Sequence, residues 1–171
     1  MDIVVFGAGS LGSLVGGLLA REHAVTLVGR DPHVAAVREA GLTVRGVDAG
    51  TDDRAANDDE SSVPVAPAAA TDGTDLRADL AVVTVKAFDT DAAATDLASG
   101  EFDAVLSLQN GLGNEATLAE HLDCPVLAGT ATYGAILLDP GVVECTGVGE
   151  VVLGARDGGP SAQADRVGEA F

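Results

Sequence analysis

A glycine-rich turn follows the first apolar segment of the chain. Gly7-Ala8-Gly9-Ser10-Leu11-Gly12 comes directly after Asp2–Phe6, which reads as a buried strand, and leads into a predicted helix. In that context the G-x-G-x-x-G spacing predicts a turn that binds a dinucleotide. Gly7 permits the tight turn, Gly9 admits a pyrophosphate close to the backbone, and Gly12 lets the helix lie on the strand. The alternative is a tight strand–helix turn with a structural role alone.

The residue after the second predicted strand, Ala24–Gly29, indicates which dinucleotide is preferred. An NAD site usually has Asp or Glu there, about 20 residues beyond the glycines, to bind the ribose hydroxyls. This chain has Arg30, followed by Asp31. A guanidinium forms bidentate contacts with a phosphate, so we expect a preference for NADP(H). Asp31 either blunts that preference or caps the helix that begins near Pro32.

Two polar residues follow later strands, at the edge where an open α/β sheet binds its ligands. Lys86 closes the predicted strand Asp79–Val85 and is the one lysine of the chain. Asn110 begins an Asn-Gly pair after the strand Ala104–Leu108. The structural alternatives are a surface lysine and an Asn-Gly turn. An amide in such a turn would still face a bound cofactor.

The histidines and cysteines carry no predicted chemistry. His23 precedes a strand, His33 starts a helix, and His121 ends a helix near its negative pole. Cys124 and Cys145 match no disulfide or metal-ligand spacing, so we interpret both as buried small apolar residues. No metal site is predicted.

Short β-branched runs alternate with Ala- and Leu-rich amphipathic segments. This alternation predicts a Rossmann-type, doubly wound α/β fold, with a mainly parallel sheet and helices on both faces. Leu42–Val47 is a candidate third strand, and Asp48–Ser62, with six acidic residues, is interpreted as a solvated loop or hairpin tip. The further predicted elements are the strand Pro125–Ala128 and the helices Ser10–Glu22, Pro32–Ala40, Thr90–Leu97 and Asn114–His121.

The pattern changes after Thr130. Three short strands are predicted to give the sheet a hairpin-like antiparallel finish: Ala135–Leu138, Val142–Cys145 and Val151–Leu153. Pro160–Phe171 then opens a helix with Ala164, Val167 and Phe171 on one apolar face. We interpret 1–157 as the dinucleotide-binding domain and 158–171 as the start of a helix that leads to an absent helical domain. The chain would then be a fragment or a product that lost its second half. An uncovered apolar face would promote self-association.

Composition excludes several classes of protein. The 171 residues fit one domain, with 9 Lys+Arg against 27 Asp+Glu and a net charge of −18, which argues against nucleic-acid binding. Apolar residues make up 47%, too many for a disordered acidic chain. We expect adaptation to high salt; an unusually acidic mesophile domain is the alternative. Asp2 stands where a signal peptide needs basic residues, and no apolar run reaches about 18 residues, so we expect a cytoplasmic protein that does not span a membrane.

Five segments in a fixed order resemble the ketopantoate reductase (2-dehydropantoate 2-reductase) family: GAGSLG, VGR, VTVKA, QNGLGN and GTATYGA. The resemblance covers essentially the whole chain but only the family's amino-terminal nucleotide-binding domain. It implies NADPH-dependent reduction of a 2-keto acid, giving pantoate for pantothenate and coenzyme A synthesis. The alternatives are a stand-alone dinucleotide-binding sensor or regulatory module, and a related reductase of another keto acid.

The resemblance also implies roles for single residues. Gly7–Gly12 would hold the pyrophosphate and Arg30 the 2′-phosphate. Lys86 and Asn110 would line the nicotinamide and substrate cleft, with Asn110 also binding substrate, and the backbone of Ala135 would contact the cofactor. The family's principal catalytic lysine lies in the absent helical domain, so Lys86 would be a secondary, electrostatic contributor and the isolated chain inactive. Expected partners are a small 2-keto acid and, as an option, further copies of the chain.

Overall fold

A computed structural model describes residues 1–47 and 62–171, which form two sheets and five α-helices. The strands are β1 (Asp2–Phe6), β2 (Ala24–Val28), β3 (Leu42–Arg45), β4 (Ser62–Val65), β5 (Ala68–Ala70), β6 (Arg77–Val83), β7 (Glu101–Ser107), β8 (Val126–Ala131), β9 (Gly134–Asp139), β10 (Val142–Gly147) and β11 (Val151–Ala155). The helices are α1 (Ser10–Leu19), α2 (His33–Ala40), α3 (Thr90–Leu97), α4 (Asn114–His121) and α5 (Ala162–Gly168). The interpretation of Asp48–Ser62 as a loop or hairpin tip lies outside the described residues, except that Ser62 begins β4.

The larger sheet has the strand order β11-β8-β7-β6-β1-β2-β5. Its pairs are parallel except that β11 runs antiparallel to β8. From β1 the chain first builds outward through β2 to β5, and then returns to build the other side from β6. The strand order therefore reverses beside β1, where open α/β sheets bind their ligands. The predicted mainly parallel α/β fold is confirmed.

Both faces of this sheet are covered, because successive side chains of a strand point to opposite faces. Ile3 and Val5 of β1 share one buried cluster with α1 and α5, whereas Val4 and Phe6 share the other with α3 and α4. Near-continuous apolar strands are needed for burial on both sides. In the described residues no helix is long and apolar enough to cross a membrane.

The predicted finish of the main sheet is partly wrong, because β9 and β10 belong to a second sheet of order β4-β3-β10-β9. Of the three predicted strands, β11 alone pairs with the main sheet, as an edge strand antiparallel to β8. Helix α1 lies between the two sheets and contacts β1 and β2 on one side and β3, β9 and β10 on the other. Two glycines leave the space for this: a Cβ at Gly16 would meet Leu27 and Val5, and one at Gly17 would meet Val44 and Leu42.

Two edge strands were not predicted. β4 contains Pro64 and lies at the edge of the second sheet, the position where a proline is tolerated because one side of the strand needs no donors. β5 is the run Ala68–Ala70 at the edge of the main sheet. Alanine is depleted in strands, so composition gave no strand signal there.

Helix α5 folds back onto the domain, which corrects the expectation of an uncovered apolar face. Ala164 and Val167 are buried in the core cluster that α1 shares, while Phe171 stays half exposed. Arg166 ties the outer side of α5 to the main sheet, with ion pairs to Asp103 at 3.1 Å and Asp79 at 3.5 Å. The apolar face of this helix is therefore no reason to expect self-association. The domain boundary at residue 157 stays a prediction.

Candidate functional site

A cleft of about 540 Å³ opens at the carboxyl ends of β1, β2 and β6, beside the reversal of strand order. Its floor is the glycine turn, and its walls come from the segments after β2 and β6. Among the sequence-predicted residues, those that line it are Gly7, Ala8, Gly9, Arg30 and Lys86. The elements required by the predicted fold therefore bring the first two motifs and the lysine to one place.

The glycine turn is built as its spacing predicts. Gly7 has φ +116°, and a Cβ there would come within 2.7 Å of the backbone nitrogen of Val85. A Cβ on Gly12 would collide with the carbonyl oxygen of Gly7 and with the Thr84 hydroxyl, which donates to that carbonyl at 2.8 Å. A Cβ on Gly9, in contrast, would meet no atom within 4 Å. Gly7 and Gly12 are thus required by packing, and Gly9 leaves open space above the turn.

The start of α1 is suited to an anion. Ser13 is the first residue whose N–H bonds back within the helix, to the carbonyl of Gly9, so the N–H groups of Ser10, Leu11 and Gly12 have no intrahelical acceptor. The first turn of α1 carries no acidic residue. The Ser10 hydroxyl accepts a hydrogen bond from the Leu137 backbone N–H and so holds β9 against the helix. A phosphate at this helix start would therefore meet the backbone amides and the positive end of the helix dipole rather than the Ser10 side chain.

Arg30 projects from the end of β2 with its side chain 89% exposed. Its Nη2 lies 3.5 Å from a carboxylate oxygen of Asp89, which also lines the cleft. Asp31 accepts a hydrogen bond from the Ala35 N–H at 3.1 Å, in the first turn of α2. This bond supports the capping interpretation of Asp31 and directs its carboxylate toward the helix.

Lys86 lies two residues after Thr84, at the start of a single 3-10 turn formed by Ala87–Asp89. Its carbonyl accepts from the Asp89 N–H at 2.8 Å, and its side chain is exposed at the cleft. Lys86 and Arg30 are the cationic side chains among the described residues of the cleft lining; the carboxylates there are Asp31, Asp89 and Asp96. The cations available to a bound anion are the two that the sequence analysis selected.

Unlike Arg30 and Lys86, the residues Asn110 and Ala135 do not line the cleft. Asn110 is exposed on the turn after β7, outside the cleft lining, but a Cβ on the next residue, Gly111, would come within 3.9 Å of Ala87 in the 3-10 turn. Ala135 lies in β9 and packs on the core cluster; Leu137, two residues on, reaches the cleft. The cofactor and substrate contacts assigned to both residues stay predictions.

His33 has a structural role that the sequence did not reveal. It is 5% exposed, and its Nδ1 accepts from the Gly141 N–H at 3.0 Å, so the ring proton lies on Nε2 and is donated to Ser13 Oγ at 2.9 Å. Burial lowers the pKa of His33, which favours this neutral form. Of the cysteines, Cys145 is buried as predicted, whereas Cys124 is half-buried, and burial raises the pKa of the Cys124 thiol. No cluster of metal ligands occurs in the described residues.

Comparison with known proteins agrees with this geometry. A model of the ketopantoate reductase PanE/ApbA family matches residues 3–158, which is most of the chain. The chain belongs to the ketopantoate reductase family. It is 46% identical to a 2-dehydropantoate 2-reductase of Halobacterium salinarum, over all of this chain and 54% of that protein. The chain thus spans about half the length of the curated relatives it matches.

Solved structures of other proteins share the fold. A PanE/ApbA family ketopantoate reductase from Ralstonia eutropha superposes with a TM-score of 0.82 at 30% identity, over 99% of this chain and 53% of that one. A D-mandelate dehydrogenase in complex with NADH superposes with a TM-score of 0.76 at 25% identity, over 99% of this chain and 51% of that one. In the present chain, the open space at Gly9 and the free amides of α1 fit a dinucleotide pyrophosphate.

Proposed function

We propose that this chain is the NADPH-binding part of a reductase of 2-keto acids, with 2-dehydropantoate as the substrate and pantoate as the product. The observation that carries the proposal is the single cleft that joins the glycine turn, Arg30 and Lys86. A stand-alone binding module would need the glycine turn alone. It would not need the chain's one lysine at the carboxyl end of β6.

The residues have distinct roles in this proposal. The backbone amides at Ser10–Gly12 bind the pyrophosphate, and the Arg30 guanidinium binds the 2′-phosphate. A bound nicotinamide supplies the hydride for the keto carbon. The Lys86 ammonium stabilises the negative charge that develops on the substrate oxygen, and the Asn110 amide holds the substrate at the same rim. The backbone of Ala135 contacts the cofactor.

The chain by itself forms one wall of a reaction site. Hydride transfer needs the keto carbon held against the nicotinamide and a proton donor within hydrogen-bond reach of the oxygen. The relatives are about twice as long, and the proposal assigns the principal acid and further substrate contacts to their second half. We therefore propose that residues 1–157 are the cofactor domain of a cytoplasmic enzyme.

The test is turnover, measured as the loss of NADPH absorbance in the presence of 2-dehydropantoate. The chain is compared with a fusion in which residues 1–171 continue into the carboxyl-terminal half of the Halobacterium salinarum enzyme. The fusion is expected to reduce 2-dehydropantoate. The rate of the chain alone is expected to be lower by at least about 10²-fold, the usual cost of removing a positioned proton donor. Equal turnover by both proteins would contradict the assignment of the principal acid to the second half. A fusion that binds NADPH but does not reduce 2-dehydropantoate would contradict the roles proposed for Lys86 and Asn110 in this reaction.

A further inference from the structure

Four buried polar side chains lie behind the two rim segments that carry Lys86 and Asn110. Ser107, Gln109, Thr90 and Asn114 are each at most 7% exposed. Buried polar groups are costly unless they are paired, and each of these is hydrogen-bonded. The sequence analysis gave none of them a role, although two belong to the segment QNGLGN.

The bonds form a continuous path between the two rim segments. Gln109 Nε2 donates to the Val85 carbonyl at 3.1 Å and to Thr90 Oγ1 at 2.7 Å. Thr90 Oγ1 in turn lies 3.0 Å from Asn114 Oδ1. Asn114 Nδ2 donates to the Asn110 carbonyl at 3.2 Å. The path thus runs from the residue before Lys86 to Asn110 itself.

The path fixes the orientation of both amides. Two acceptors, the Val85 carbonyl and Thr90 Oγ1, face Gln109 Nε2, and Ser107 Oγ donates to Gln109 Oε1 at 3.3 Å. Asn114 must likewise present its nitrogen to the Asn110 carbonyl and its oxygen to Thr90. The Thr90 hydroxyl has a single proton and two acceptors in reach, the Ala87 carbonyl at 2.9 Å and Asn114 Oδ1. Each of these buried side chains thus has at least one bonding partner, and a buried polar network of this kind favours one arrangement of the segments it joins.

We infer that Thr90, Gln109 and Asn114 are positioning residues that set the Lys86 segment against the Asn110 turn, so that both meet the nicotinamide end of one bound NADP(H). The inference rests on the proposed function, because that function places the nicotinamide at this rim. Among the described residues, Arg30 and the glycine turn make no hydrogen bond to these buried side chains, although Asp89, the residue before Thr90, is ion-paired with Arg30 at 3.5 Å.

Two ligands separate the ends of the cleft. NADPH reaches from Arg30 to the rim, whereas adenosine 2′,5′-bisphosphate carries only the adenosine and phosphate end. Thr90→Val keeps the shape of the side chain but removes the hydroxyl, which leaves Gln109 and Asn114 each short of a partner. We expect its affinity for NADPH to fall on the order of tenfold, the usual effect of an unpaired buried group. Its affinity for adenosine 2′,5′-bisphosphate is expected to match that of the parent chain.

Thr90→Ser restores the hydroxyl and is expected to recover NADPH affinity. Thr95→Val is the matched control, because Thr95 lies on the same helix with an exposed hydroxyl bonded to the Asp91 carbonyl, outside the network. Gln109→Met is a second variant that removes all three side-chain amide bonds and retains the length of the side chain. Dissociation constants are measured by calorimetric titration of the full chain.

Each outcome decides between the claims. A selective loss of NADPH affinity in Thr90→Val and Gln109→Met, with recovery in Thr90→Ser, supports the positioning role. Unchanged NADPH affinity in both variants overturns it while the proposed function stands. Loss of both ligands in both variants means that the network maintains the fold, which also overturns it. If the parent chain binds adenosine 2′,5′-bisphosphate and NADPH with the same affinity, this inference alone is overturned. If the parent chain binds neither ligand, the proposed function is overturned as well.

Discussion

Arg30 is the side chain on which the choice between NADP(H) and NAD(H) depends in this account. It lies at the end of β2, where a carboxylate would bind ribose hydroxyls, and its side chain is exposed to the cleft. Arg30→Ala should shrink the difference in binding free energy between NADPH and NADH by about 1–3 kcal/mol, the range for a hydrogen bond to a charged group. Calorimetric titration with both dinucleotides measures this difference.

Arg77→Ala is the control for that substitution. Arg77 is also an exposed, ion-paired arginine, bonded to Glu101 at 3.1 Å, but it lies at the amino end of β6, away from the cleft. Its removal should leave the preference between the two dinucleotides unchanged. If the parent and Arg30→Ala preferred NADPH over NADH to the same extent, a group other than Arg30 would have to bind the 2′-phosphate.

Asp89 places a negative charge beside Arg30 in the same cleft. Its carboxylate lies 3.5 Å from the guanidinium, so a 2′-phosphate that binds Arg30 must approach a group of like charge. Asp89→Asn removes that charge and should tighten NADPH binding several-fold with a smaller effect on NADH. Asp91→Asn makes the same change on α3 outside the cleft lining, beside His121 at 3.6 Å, and should have no such effect. Weaker NADPH binding in Asp89→Asn would mean that Asp89 holds Arg30 in place rather than competing for it.

At the level of elements, the turn between β1 and α1 contains one glycine that is predicted to serve binding, Gly9, and one that serves packing, Gly12. Gly9 has an extended backbone conformation and open space around its missing Cβ. Gly9→Val should therefore abolish dinucleotide binding while the circular-dichroism spectrum and Tm stay close to those of the parent. Gly12→Val should lower Tm sharply, because its Cβ would overlap the Gly7 carbonyl. Retained binding in Gly9→Val would show that the turn has a structural role alone.

His33 joins three elements: α2, which contains it, α1 through Ser13, and the β9–β10 turn through Gly141. Burial holds its pKa in the folded chain below the ordinary value of about 6.5. The unfolded chain thus binds the extra proton first, so the contribution of His33 is complete above about pH 6.5 and is lost as the pH falls toward the folded pKa. The free energy of unfolding should fall by at most about 1.4 kcal/mol per pH unit in that window.

The measurement is denaturant unfolding between pH 7.5 and 5.5. His33→Gln keeps one donor and one acceptor without a titrating group, so its stability should depend less on pH. His121→Gln removes an exposed histidine on α4 and should retain the pH dependence of the parent. An identical pH dependence in the parent and in His33→Gln would assign the effect to other groups.

The sequence predicted elements better than it predicted their partners. The alternation of buried strands and helices is a local signal, and the fold it predicts was confirmed. The glycine turn has the tight geometry that its spacing predicts, whereas its binding of a dinucleotide stays a prediction. The parallel pairing of β10 with β3 joins segments about a hundred residues apart, and no local pattern records it. The same holds for the bonds of Gln109 and Thr90, since an amide and a hydroxyl read as ordinary polar residues until the fold brings them together.

At the scale of the whole molecule, charge dominates. A net charge of −18 on 171 residues repels itself, and screening shortens the reach of that repulsion from about 10 Å at 0.1 M salt to about 3 Å at 1 M. Tm should rise by roughly 4–8 °C between those NaCl concentrations if screening recovers about 2 kcal/mol. Sucrose at equal osmolality is the control, because it does not screen charge. A flat or falling Tm in NaCl would contradict salt adaptation.

Calorimetric titration of the unmodified chain is the direct test of whether it is the NADPH-binding part of a keto acid reductase. The chain is titrated with NADPH and, separately, with NADH, in high salt. We expect saturable binding of one NADPH per chain, with a Kd lower than that for NADH, because Arg30 and the glycine turn that leads into α1 line one cleft. The absence of binding to either dinucleotide, or tighter binding of NADH, would contradict it.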